Sequence, residues 1–240
     1  MIVESKAIVI NSFKYGEFGL ITRCFTLKNG LQSFLLKGIL KSKKGGVRKS
    51  QFEPLTQLKL IYNFKNNGNL QFIKEAKAYN IYKSIPNKIS KKTLVIFLSD
   101  ILKNILKDNG PNESLYVFIE ISLNILDNSE KIKYYHIIFM IKLSKFLGFF
   151  PNIKTKGEFF NIEKGHFTNN HDLALGENNF DVKLFKNLLG MNFGDVEGIT
   201  ITKSSRNQLI EFLIEYYKFH INGFKRPKSL DILNELFKNP

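Results

Sequence analysis

The spacing of the apolar residues changes once, near residue 80, and no other feature limits the architecture of this chain so much. Before that point, short runs rich in β-branched and aromatic residues alternate with glycine turns. The runs fall at residues 6–14 (KAIVINSFK), 18–27 (FGLITRCFTL), 31–37, 55–64 (LTQLKLIYNF) and 70–79 (LQFIKEAKAY). KYGE at 14–17, Lys28-Asn29-Gly30 and KNNGN at 65–69 separate them. Asn-Gly and isolated glycines supply the positive φ that tight hairpins need. Five short strands in so little chain predict a small closed β-barrel, with the OB type leading and an SH3-like barrel as the alternative.

Beyond Ile85-Pro86 the period becomes helical. Residues 90–108 carry Leu94, Phe97, Leu98, Ile101, Leu102, Ile105 and Leu106 on one side, with Ser90 placed as an N-cap, and Asn109-Gly110-Pro111 stops the run. Residues 112–127 and 131–147 predict two further helices, the third ending at Gly148, and together the three make a bundle. Residues 151–170 are irregular, with a hairpin expected around Glu163–Gly165. Helical spacing returns at 181–190, 204–222 and 228–238. The expected class is therefore α+β: an N-terminal OB-fold β-barrel over 1–80, followed by an all-α helical domain over 81–240.

Charge is distributed unevenly between these parts. Residues 1–80 hold 14 basic and 4 acidic residues, and the remaining 160 hold 22 and 17. A genome-wide preference for lysine would raise the basic count everywhere, but would not thin out the acids in the first third alone. The excess concentrates between the third and fourth strands, in SFLLKGILKSKKGGVRKSQFEPL. Lys37, Lys41, Lys43, Lys44, Arg48 and Lys49 follow one another there with no acid until Glu53. Crowding six cations costs free energy unless an anion neutralises them, and a phosphate backbone is the natural one. Lys14 and Arg23, on the first two strands, extend the set. Most aromatic residues of the barrel must fill its core. Tyr15, in a turn beside Lys14, and Phe34, leading into the basic loop, are the two expected to stack on bases.

Several chemistries are not expected. A phosphate-binding P-loop needs glycine directly before its Lys-Ser pair, and here Lys49-Ser50 follows Arg48. The four histidines have no metal-ligand spacing, and Cys24 is the only cysteine, which rules out an internal disulfide or a zinc finger. No Ser/His/Asp arrangement stands out, so neither an enzyme nor a cofactor is expected. The first residues do not read as a secretion signal, and no apolar run is long enough for a membrane span.

The residues that carry chemistry also stand in a familiar order. Lys14-Tyr15-Gly16-Glu17, Phe25-Thr26, Gly30, SFLLKG at 33–38, QFEPLTQLKL at 51–60, FLGFFPN at 146–152 and KSLDILNEL at 228–236 resemble the RecO family of bacterial recombinational repair mediators along the whole chain. The resemblance implies an OB-fold followed by a helical domain. It implies binding of single-stranded and double-stranded DNA, annealing of complementary strands without ATP, and cooperation with RecR. It further implies docking of the acidic, phenylalanine-ended C-terminal tail of the single-stranded DNA-binding protein, loading of the recombinase RecA, and a bacterial cytoplasmic location at the nucleoid. A four-cysteine zinc site found in some members is not carried over, because those cysteines are missing here. For the tail, an apolar groove between bundle helices with cations at its rim is expected, built from Phe97, Leu98, Leu102, Lys131 and Lys133. The alternative reading is an RNA-binding OB factor with a helical docking domain; a nuclease or ligase subunit is disfavoured by the missing site.

Overall fold

The computed structural model describes residues 1–41, 47–65, 70–107, 110–170, 180–195 and 201–237. They form two compact units, Met1–Asp127 and Asn128–Pro240. The first begins with five strands: β1 (Ile2–Tyr15), β2 (Gly19–Thr26), β3 (Gly30–Leu36), β4 (Gln57–Asn63) and β5 (Phe72–Asn80). All neighbours pair antiparallel in the order β3-β2-β1-β4-β5. The ends meet where Phe34 bridges Gln71 in parallel, with Leu35 N–H donating to Gln71 C=O at 2.9 Å and Gln71 N–H to Ser33 C=O at 2.8 Å. This is the closed OB-like arrangement expected from the sequence.

β1 starts earlier than residue 6 because Ile2–Ser5 already alternate outward and inward and pair with β4, Ile2 facing Asn63. Inside the barrel lie Val3, Ala7, Val9, Cys24, Phe34, Leu58, Leu60 and Tyr62. Phe34 and Tyr62 meet edge to face at 5.0 Å, a geometry worth about 0.5–1.5 kcal/mol beyond area burial. A short 3-10 helix (Lys49–Phe52) adds Phe52 to this core. Gly16 and Gly30 take φ of 60° and 66° in the two hairpin turns.

β1 slips register between Val9 and Asn11. The bulge lets both faces of the strand be covered: Val9 faces the barrel, while Ile8 and Ile10 are also fully buried. Their cover comes from α1 (Ile89–Ile105) and α2 (Glu113–Asn128). Ser99 of α1 bonds the Ile10 carbonyl, and Tyr116 of α2 packs on Phe25 at 5.8 Å. Gly30 approaches the segment between these helices so closely that an added Cβ would stand 2.2 Å from the Gly110 oxygen. At the end of α2 the Asp127 carboxylate accepts the backbone N–H groups of Lys83, Ser84 and Ile85 at 2.8–2.9 Å. Burial pushes its pKa up, but these bonds outweigh it and hold the carboxyl below its usual value. Ser90 does not cap α1: it lies inside the first turn, after Lys88. The change near residue 80 is thus a change of element type, and the compact unit continues to Asp127.

The second unit contains α3 (Tyr135–Phe146), a hairpin of β6 (Phe159–Asn161) and β7 (His166–Thr168), α4 (Val182–Leu189), α5 (Lys203–His220) and α6 (Leu230–Leu236). The hairpin turns at Glu163–Gly165, where the sequence places it. Its core is aromatic: Phe160 touches Phe167, Phe185, Phe212 and Tyr216 at 5.0–5.6 Å, all close to edge-on. Tyr217 of α5 donates to Met140 C=O of α3 at 2.7 Å, which joins the two helices through a buried polar contact.

Candidate nucleic-acid interface

Strand pairing decides which side chains share a face, because residues directly opposite point the same way. Thr22 and Phe34 are partners and face inward, with Phe34 completely buried. The neighbouring rows therefore face out. Phe13, Ile21 and Leu35 form one row across β1, β2 and β3; Asn11, Arg23 and Ser33 form the next; Tyr15 stands opposite Gly19 beyond them. Phe13 is 48% exposed and Tyr15 53%, which is unusual for such rings in a small barrel. Lys37, just past β3, lies 5.5 Å from the centre of the Phe72 ring, itself 48% exposed. Phe13 and Tyr15, with Arg23 in the neighbouring row, thus stand on the outer side of β1 and β2, and Phe72 with Lys37 forms a second exposed ring-and-cation pair where β5 meets β3.

The basic loop leaves β3 at Lys37, beside the Phe72 ring. Lys41 sits 4.4 Å over the Phe18 ring. Arg48 and Lys49 are exposed at the start of the 3-10 helix. That turn is fixed by Gln51, whose side chain accepts Arg48 N–H at 2.7 Å and donates to Ala76 C=O of β5 at 3.0 Å. Lys43 and Lys44 lie outside the described residues.

Two expectations need correction. Phe34 cannot stack on a base, since it is part of the barrel core. The exposed rings of the barrel are instead Phe13 and Phe72, in addition to Tyr15. Phe13 was within reach of the sequence, being two residues from Tyr15 on the same strand. Lys14 alternates to the other side from Tyr15, pairs with Leu20, and is exposed at the barrel rim. The second correction concerns the groove for a partner tail. Phe97, Leu98 and Leu102 are each 0% exposed and belong to the core of the first unit, so they offer no slot for a ring. Lys131 and Lys133 are exposed and precede α3, which begins at Tyr135 rather than 131; they belong to the second unit.

Other reactive groups are held quiet. Burial pushes the Cys24 thiol up to about 12, so at neutral pH it is neither nucleophile nor ligand. His136 is buried, and that burial, with the Arg206 guanidinium nearby, lowers its pKa to about 3. Among the described residues no group of three or more His, Cys, Asp or Glu could hold a metal ion. No described helix is long and apolar enough to cross a membrane.

Comparison with known proteins covers both units. Residues 1–82 match the family model described as Recombination protein O N terminal, and residues 86–231 match Recombination protein O C terminal. The DNA repair protein RecO of Christiangramia forsetii is 38% identical over 240 residues, covering 99% of this chain and all of that protein. Those of Flavobacterium psychrophilum and Flavobacterium johnsoniae are 38% and 37% identical over 239 residues, with the same coverage.

Proposed function

The chain belongs to the RecO family and serves DNA repair and recombination; within that role we propose that it binds single-stranded DNA on the outer face of its barrel and anneals complementary strands. Bases stack on Phe13, Tyr15 and Phe72, while Arg23, Lys37, Lys41, Arg48 and Lys49, with Lys43 and Lys44 of the same charge run, neutralise phosphates. The observation that supports this reading is the pairing register, which turns the half-exposed rings of Phe13 and Tyr15 to the outer side of the barrel with Arg23 in the neighbouring row. Stacking is tolerant of base identity, and lysine and arginine contacts read only the backbone, so such a face holds any sequence. That suits a protein that must accept whatever strand damage exposes.

The work is binding work. Neutralising two backbones lowers the repulsion between them and lets base pairing proceed without ATP, metal or a covalent step. Duplex DNA is held more weakly, through its phosphates alone. In the cell this places the protein in the bacterial cytoplasm at the nucleoid. There RecR, the tail of the single-stranded DNA-binding protein and RecA are its partners, and it helps load the recombinase onto coated DNA.

The test is annealing of complementary strands coated with their binding protein, in EDTA and without nucleotide. Pairing faster than the spontaneous rate is expected. Failure to anneal in EDTA with strand binding intact would sink the nucleotide- and metal-free mechanism. Binding of RNA with clear preference over DNA would move the function to the RNA-binding alternative.

A further inference from the structure

A second charged face lies elsewhere on the same barrel. Lys6 of β1 stands opposite Lys59 of β4, and Lys59 stands opposite Lys77 of β5. Three lysines therefore form one line across three neighbouring strands, about 4.8 Å apart at the backbone. Like charges directly opposite each other are unfavourable in a sheet, so stability alone does not call for this line. The turn after β2 brings a fourth cation: Leu27 N–H donates to Lys6 C=O at 2.9 Å and Lys28 N–H to the Ser5 hydroxyl at 3.2 Å. Lys6, Lys28 and Lys59 line a surface pocket of about 370 Å3 with Glu4 and Tyr79.

Acids temper this charge without cancelling it. Glu4 holds Lys59 at 2.6 Å and Glu120 holds Lys6 at 3.0 Å, and both lysine side chains remain about half exposed. Glu75 lies in the neighbouring row with Glu4. Lys28 and Lys77 have no ion-pair partner among the described residues. Lys6 stands 4.8 Å over the Tyr79 ring, which sets a cation against the aromatic wall of the pocket.

We propose that this lysine line is a second phosphate-backbone site, which holds a second nucleic-acid strand while the aromatic face holds the first. The proposal rests on the reading of the aromatic face as a strand-binding surface. A line of single positive charges at even spacing matches a sugar-phosphate backbone better than it matches a folded acidic partner. Lys6 and Phe13 are seven positions apart on β1, roughly 20 Å of strand, so this site is not a continuation of the first. A strand bound here exchanges the contacts of Glu4 and Glu120 for phosphates and releases counterions.

The experiment uses two non-complementary dT oligonucleotides, one carrying a donor dye and one an acceptor, with the full-length protein. Energy transfer reports both strands on one molecule, and a binding curve for a single strand reports the aromatic face. Lys28→Glu/Lys77→Glu leaves the salt-bridged lysines in place; the milder Lys28→Ala/Lys77→Ala guards against loss of folding, checked by thermal melting. We expect first-strand affinity to stay within about twofold and second-strand binding to weaken roughly tenfold, with a smaller salt dependence. Unchanged second-strand binding in both variants overturns the proposal and leaves the aromatic face standing. So does loss of poly-glutamate binding with DNA binding intact, which would make the line a site for an acidic protein. A wild-type protein that binds no strand at all overturns both readings together.

Discussion

The Ser99 hydroxyl donates a 2.7 Å hydrogen bond to the carbonyl of Ile10. Ile10 is the residue left over where β1 slips register against β2, so its carbonyl has no place in that ladder. The helix that covers the strand thus also completes it. Ser99→Ala leaves that buried carbonyl unpaired and is expected to destabilise the protein by about 1–3 kcal/mol. Urea unfolding measures the loss. Affinity for single-stranded DNA should be unchanged, because neither the Ser99 hydroxyl nor the Ile10 carbonyl belongs to the exposed rings and cations proposed to hold the strand.

Phe13 and Phe34 separate binding from stability. Phe13→Ala or Tyr15→Ala should weaken single-strand binding by about 1–3 kcal/mol each with little change in melting temperature. Phe34→Ala opens a cavity in the barrel and should cost about 3–5 kcal/mol of stability. Its DNA affinity, measured where the protein remains folded, should stay near wild type. A stable Phe34→Ala protein that has lost DNA binding would contradict the inward placement of that ring.

Arg48 and Lys49 stand exposed at the end of the basic loop. Their joint replacement by alanine should flatten the plot of log affinity against log salt by roughly 0.7 for each phosphate that is no longer neutralised. Titrations at several salt concentrations measure this. An unaltered slope would take these two residues out of the interface.

His136 sets a pH dependence in the second unit. Its pKa is about 3 in the folded protein, against an ordinary value of 6.5. Between those values the unfolded chain binds a proton that the folded chain does not. The stability due to neutral His136 is therefore fully present above pH 6.5 and falls as pH drops, by up to about 1.4 kcal/mol per pH unit. Chemical denaturation of wild type and His136→Gln from about pH 7 to about pH 4.5 isolates the effect from the carboxylates, which titrate lower. The variant should lose less stability over that range.

The barrel was legible in the sequence because its turns carry glycine and its strands carry β-branched runs. The direction of Phe34 was not. Phe34, Leu35 and Leu36 are apolar in succession, so the run has no visible phase, and only pairing with Thr22 turns the ring inward. The groove around Phe97 failed for a related reason. α1 buries residues such as Lys91, Val95 and Ser99 besides its apolar stripe, because it packs on the sheet as well as on its helical neighbours. Seen in sequence, those large apolar side chains looked like a surplus available to a partner. The bulge in β1 is a slip against β2, and its freed carbonyl is taken by Ser99, far along the chain on α1, so no local pattern announces it.

Asp127 has a practical bearing on any attempt to study the barrel alone. A fragment cut at Asn80, where the strands end, would strip the cover from Ile8, Ile10 and Phe25 and leave a patch of bare hydrocarbon on its back. A cut between Ile85 and Asp127 would do no better, because it leaves the backbone N–H groups of Lys83, Ser84 and Ile85 without the carboxylate that accepts them. Such a piece would be sticky and short-lived, and its affinity for DNA would be confounded by clumping. Ending the fragment after Asp127 keeps both helices and their tie, and gives the smallest length of this chain on which the proposed strand-binding face can be tested cleanly.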